Sequence, residues 1–120
     1  MPVRAVRGAT HLTADDRVEM IEAVVELLSE MFRRNEVTTD DLISVLFTAT
    51  PDLQSEFPAM AARQLHLGDV PLICAQELDV AGALPRVVRV MAHVESPRSR
   101  QDIVHVYLRG AEILRRDLAQ

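Results

Sequence analysis

The chain has 120 residues, 48% of them hydrophobic, which is the size and apolar content of one compact domain with a real core. Its formal charge is −5, its pI is near 5.3 and its arginines form no basic tract, which argues against nucleic acid or an anionic membrane as a partner. All thirteen basic residues are arginine, so a Schiff-base, pyridoxal-anchoring or phosphate-loop lysine is excluded, and a single cysteine excludes an internal disulfide.

Met1-Pro2-Val3-Arg4 runs straight into a strand pattern instead of a charged and then apolar leader, and no segment approaches the roughly 20 apolar residues that span a bilayer. The expectation is a single cytoplasmic domain over residues 1–120. Residues 3–10 alternate weakly and predict a strand ending at Gly8-Ala9-Thr10. Val18, Ile21, Val24, Val25, Leu28, Met31 and Phe32 then repeat at helical spacing. Thr13 with Asp16 resembles a capping box, and Arg33-Arg34 complement the C-terminal dipole of that helix.

Thr38-Thr39-Asp40-Asp41 predicts a capped turn before a buried strand, Leu42 to Thr48, which Pro51-Asp52 stops. Pro58 suits the first position of a short helix running to about Leu65, with Arg63 beside its apolar side. Residues 70–75 predict a third strand, Arg86 to Glu95 a fourth, and His105 to Leu114 a fifth with a bulge at Gly110. Ser96-Pro97-Arg98-Ser99-Arg100 reads as a polar, mobile linker. Five strands and two main helices give an α+β fold with a mixed sheet, and two helices cover only one sheet face. In the fourth strand Val88, Val90, Ala92 and Val94 line one face while Val87, Arg89, Met91 and His93 line the other. Both faces are largely apolar, so the sheet is expected to pack against further copies of the chain, with a cleft between subunits.

Charges interrupt these strands. Arg89 lies inside Val87-Val88-Arg89-Val90-Met91-Ala92, Arg7 at the end of the first strand, and Glu77 inside the apolar run from Val70 to Leu78. A guanidinium keeps its charge and is costly to desolvate, so Arg89 requires a carboxylate partner or a bound anion. Pattern alone leaves two readings open: an ion-paired network that holds an oligomer interface, or a site for a small carboxylate ligand bound bidentately. Tyr107 is open in the same way, as core ring or as ligand contact. The four histidines lack ligand spacing, which argues against a metal site. No Gly-x-Ser-x-Gly or Gly-x-Gly-x-x-Gly motif occurs, and Cys74 reads as an inert buried thiol with no base nearby.

Several segments together resemble one family: Val3-Arg4-Ala5-Val6-Arg7-Gly8-Ala9-Thr10, Thr48-Ala49-Thr50-Pro51-Asp52-Leu53, Phe57-Pro58-Ala59 with Ala62-Arg63, Val70 through Glu77, Arg86-Val87-Val88-Arg89-Val90, His105-Val106-Tyr107-Leu108, and Leu114-Arg115-Arg116-Asp117-Leu118. In this order, from about residue 3 to 118, they resemble the monofunctional AroH class of chorismate mutases. The resemblance implies a barrel-like trimer with active sites between subunits, converting chorismate to prephenate on the shikimate route to phenylalanine and tyrosine. That Claisen rearrangement needs no cofactor and no metal. By the same resemblance Arg89 is the donor to the breaking ether oxygen, Arg7 and Tyr107 hold the side-chain carboxylate, and Glu77 and the Cys74 backbone meet the ring hydroxyl. Phe57, Ala59, Leu72, Ile73 and Leu114 would wall the ring, with Arg63 and Arg115 near the ring carboxylate at the mouth. The chain departs from the family pattern at Met60, where lysine is common, at Ile73, where threonine is frequent, and at Arg116, where proline is usual. Two other readings stand beside it: a Rid-like imine deaminase, which also holds a carboxylate with an interface arginine, and a non-catalytic trimer that binds a small carboxylate metabolite.

Overall fold

Alternation decides where each side chain of the first strand goes. In β1 (Val3–His11), Val6, Gly8 and Thr10 turn to one face and are buried, while Arg7, Ala9 and His11 turn to the other. These placements come from a computed structural model that describes the backbone of residues 1–117 and the side chains of residues 1–114.

A long helix, α1 (Arg17–Arg34), lies on the Val6 face of β1. At Gly8 a Cβ would stand 2.5 Å from Met31 Sδ and 3.0 Å from Leu27 Cδ1, so the missing side chain is what allows helix and strand to approach this closely. The buried stripe of α1 is Met20, Ala23, Val24, Leu27, Leu28 and Met31. It is rotated from the expected one: Val18 is 57% exposed, because it lies off this stripe, while Met20 in the same turn is fully buried. The cap also sits later than expected. Asp16 accepts from the Glu19 backbone N–H, and the Glu19 carboxylate in turn accepts from the Thr13 backbone and hydroxyl.

At the other end, Asn35 is buried and its amide is fully used. Nδ2 donates to Met31 O and Val104 O, both at 2.8 Å, and Oδ1 accepts from Val104 N at 2.8 Å. Arg98 donates to Arg34 O at 2.9 Å and its carbonyl accepts from Arg4 Nε at 2.8 Å. The segment expected to be a mobile linker is therefore tied to both α1 and β1, through backbone groups that composition does not reveal.

Glu30 accepts from Arg33 and Arg34 one turn on, and these hydrogen bonds, Arg33's first, hold its carboxyl down from the ordinary 4.5 to about 2. A carboxyl lowered on folding adds stability above its unfolded pKa and loses it as pH falls toward the folded one. The thermal midpoint is accordingly expected to slope downward between pH 4.5 and about 2, and Glu30→Gln should flatten part of that slope while leaving the plateau near neutrality in place.

After the turn capped by Thr38 and Asp41 come β2 (Leu42–Ala49), a 3₁₀ turn at Pro58–Met60, α2 (Ala61–Gln64), β3 (Leu72–Gln76) and β4 (Val87–Glu95). β5 is only Val106–Tyr107, and α3 spans Glu112–Asp117. The sheet is mixed, with order β3-β2-β4-β1-β5. β4 runs antiparallel to both β1 and β2, while β1–β5 and β2–β3 are parallel pairs, the second joined by a crossover that carries α2. The expected fifth strand from His105 to Leu114 is thus corrected to a two-residue strand, a turn with positive φ at Arg109 (54°) and Gly110 (90°), and a helix. The left-handed pair turns the chain out of the sheet, where the sequence had suggested a bulge within it.

The main core lies between α1, α2 and one sheet face, where Val45, Phe47, Val88, Val90, Ala92 and Val94 are buried. The second helix is shorter than expected, because the first turn after Pro58 is 3₁₀. On the opposite face a small cluster of Ala9, Val87, Ala111 and Leu114 seats α3, so a third helix covers one end of the face expected to be bare. The rest stays open: Leu46 is 36% and Ile73 64% exposed. Among the described residues, no helix is long and apolar enough to cross a membrane.

Candidate functional site

One row of residues crosses all five strands on the open face: Ala75, Thr48, Arg89, Ala9 and Tyr107 are successive register partners. Arg89 stands at the centre because β4 is the middle strand. Ala9 is its neighbour on one side, and this small residue leaves a depression between the guanidinium and the Tyr107 ring. Arg7, two residues before Ala9, projects from the same face of β1. Its backbone N–H donates to His105 Nδ1 at 3.0 Å, which fixes β1 against the approach to β5. Glu77 follows β3 directly and is anchored by its backbone N–H, which donates to Ala49 O at 2.9 Å.

The result is a hollow of about 250 Å³ lined by Arg7, Thr48, Glu77, Arg89, Met91 and Tyr107 among others. A second hollow adjoins it, shares Glu77 and Arg89, and is closed by Leu84, Ile113 and Leu114. Of the expected residues, Arg89, Arg7, Glu77 and Tyr107 converge here, and Leu114 stands nearby.

The electrostatics of the hollow are unbalanced. Arg89 Nε lies 3.4 Å from Glu77 Oε2, a loose ion pair, and that buried nitrogen makes no hydrogen bond. Among the described residues the Arg7 guanidinium makes no ion pair at all. Two permanent cations therefore face one carboxylate, and the surplus charge and the orphaned donor both favour an incoming anion. A self-contained network would have left neither.

The remaining expected residues lie elsewhere. Phe57, Ala59, Arg63 and Leu72 line a hollow of about 630 Å³ beside α2 and β3. Cys74, half-buried and packed toward the core, lines another with Phe57. Ile73 is an exposed residue of β3, which is an edge strand. Phe57 is 68% exposed, which is unusual for a large ring in a folded chain. None of these residues lines the Arg89 hollow within the one chain, and the Arg115 side chain lies outside the described residues.

Sequence reasoning missed Thr48. Its hydroxyl donates to Glu77 Oε2, and it sits directly beside Arg89 on β2. The alternation of residues 42–48 places Thr48 on the face of Leu46, but nothing local says that Arg89 would be its neighbour.

Comparison with known proteins gives one consistent result. The profile of the family described as chorismate mutase type I matches residues 3–118. The chain is 38% identical over 120 residues to chorismate mutase AroH of Bacillus subtilis strain 168, covering 99% of this chain and 94% of that protein. It is 44% identical over 119 residues to chorismate mutase AroH of Thermus thermophilus, covering 97% and 96%. Among solved structures, a chorismate mutase from Clostridium thermocellum superposes with a TM-score of 0.89 at 42% identity, covering 91% of this chain and 97% of that one.

Proposed function

The chain belongs to the type I chorismate mutase family, an isomerase of aromatic amino-acid biosynthesis that converts chorismate to prephenate, and we propose that its active site is the Arg89 hollow completed by a second copy of the chain. In this reading residues 1–120 act as one cytoplasmic domain, and three copies close a ring through their open sheet faces. The observation that carries it is the Arg89 guanidinium, partly exposed and only loosely paired with Glu77, lining a hollow with more cationic than anionic charge. The half that holds Phe57, Ala59, Arg63 and Leu72 offers a second apolar wall and a third cation, on a separate part of the surface. A neighbouring subunit brings the two together.

The rearrangement moves electrons around a six-atom ring without transferring a proton. Two things accelerate it: holding the substrate folded so that the bond-forming carbons meet, and fixed positive charge at the oxygen of the breaking ether. Arg7 and Tyr107 grip the side-chain carboxylate, Glu77 and the Cys74 backbone take the ring hydroxyl, and Arg89 donates to the ether oxygen as its negative charge grows. Phe57, Ala59, Leu72, Ile73 and Leu114 hold the ring, while Arg63 and Arg115 draw the ring carboxylate to the mouth. Met60 places no cation there, which leaves that attraction to the two arginines.

Purified protein is expected to discharge the ultraviolet absorbance of chorismate without any added metal or cofactor, and to have a solution mass three times the 13.4 kDa of the chain. With no proton in flight, kcat should be nearly flat around neutral pH with little solvent isotope effect. A sharp bell-shaped profile would refute the mechanism, and a fully active monomer would refute the shared site.

A further inference from the structure

We infer that Thr48 is a positioning residue, which holds one oxygen of Glu77 and so keeps the carboxylate from closing on Arg89. This rests on the assignment of Glu77 and Arg89 to the active site.

A carboxylate and a guanidinium left to each other adopt a bidentate fork, with two parallel N–H···O bonds. That arrangement would consume Arg89 donors and both oxygens of Glu77. The observed geometry is different. Glu77 Oε2 accepts from the Thr48 hydroxyl and stands 3.4 Å from Arg89 Nε, while Oε1 accepts no hydrogen bond among the described residues. Arg89 Nε stays buried and unbonded. One oxygen of Glu77 is thus left for a ligand hydroxyl, and the exposed part of the Arg89 guanidinium, not consumed by a fork, is left for a developing oxyanion.

Thr48 is built to hold this position. It pairs with Ala75 of β3 and Arg89 of β4, so its backbone is fixed by ladders on both sides. A β-branched residue is stiff about χ1, so the hydroxyl has little freedom to wander. The Glu77 backbone is fixed independently, through its bond to Ala49 O, which leaves the carboxylate rotation as the degree of freedom that Thr48 controls.

Steady-state kinetics on Thr48→Val, Thr48→Ser, Glu77→Gln and the Thr48→Val/Glu77→Gln double variant test this, with thermal melts alongside. Valine keeps the shape and removes the donor; kcat/KM should drop roughly 10- to 100-fold, the effect expected for losing a hydrogen bond to a charged group, with kcat itself lowered as Glu77 folds onto Arg89. Serine should restore most of the activity. In the Glu77→Gln background, Thr48→Val should add almost nothing, since both changes act through one carboxylate. Equal losses in Thr48→Ser and Thr48→Val would mean a packing role and overturn the inference, as would an undiminished Thr48→Val effect in the Glu77→Gln background. If Glu77→Gln is impaired and Thr48→Val is not, only the role of Thr48 falls. Should Glu77→Gln behave as wild type, the assignment of Glu77 falls and the role of Thr48 with it.

Discussion

Arg89→Ala is expected to lower kcat by about 10²–10³, equivalent to about 2.7–4 kcal/mol of barrier, the usual cost of losing one preorganised donor at a developing oxyanion. The fold should survive. The Arg89 side chain is 40% exposed, its contact with Glu77 is long, and Glu77 keeps its bond to Thr48 when the guanidinium is gone. Removing a buried nitrogen that makes no hydrogen bond also removes a desolvation cost, so the melting temperature should change little. Arg89→Lys should also be slow, because an ammonium on a flexible stem does not reproduce a planar fork fixed by the central strand. Chorismate turnover, circular dichroism and solution mass on the same samples separate the possibilities. If Arg89→Ala unfolds or loses its assembly while whatever assembled protein remains turns over at the normal rate, the arginine is an interface residue and the proposed mechanism is wrong.

Phe47→Ala is the change expected to harm stability most. Phe47 is fully buried on the helix face of β2, in register with Val90 of β4 and Cys74 of β3, and is the largest side chain in the core. Truncating a core phenylalanine typically costs about 3–5 kcal/mol, the lost transfer energy plus a cavity the surroundings only partly refill. A domain whose whole stability is about 5–15 kcal/mol has little margin for that. Urea denaturation at one fixed protein concentration should show the midpoint falling with little change in m, the fixed concentration mattering because assembly and folding are expected to be linked. Phe57→Ala is the internal comparison. Phe57 is 68% exposed, so its loss should leave the midpoint nearly unmoved and raise KM instead. A loss below about 1 kcal/mol for Phe47→Ala would contradict the burial of β2 beneath α1.

These two phenylalanines show where reading a sequence succeeds and where it stops. Phe47 lies in a largely apolar strand segment, and the structure buries its helix-facing side while Ile43 and Leu46 stay exposed, so the strand expected to be buried is covered on one face only. Phe57 sits before Pro58 in a loop, and only the resemblance to a family gave it a task. The alternation of β4 was fully legible: Val88, Val90, Ala92 and Val94 are buried, while Arg89, Met91 and His93 face outward. The helical repeat of α1 was legible as a helix but its buried stripe was off, because the apolar residues span more of the circumference than the sheet contacts. The stretch from Leu108 to Leu114 failed altogether. Its apolar residues suit a strand as well as a helix, and the left-handed turn at Arg109-Gly110 decided between them.

The sequence by itself determined the local periods, the absence of lysine chemistry, and the charges set into apolar strands, because these depend on sterics and solvation within a few residues. The tertiary structure decided that Thr48, Arg89, Ala9 and Tyr107 form one row, that Asn35 ties α1 to the approach to β5, and that the expected site residues fall into separate hollows. Register between strands far apart in the sequence follows from burying one whole face of the sheet against the helices at once, and no short window of residues carries that condition.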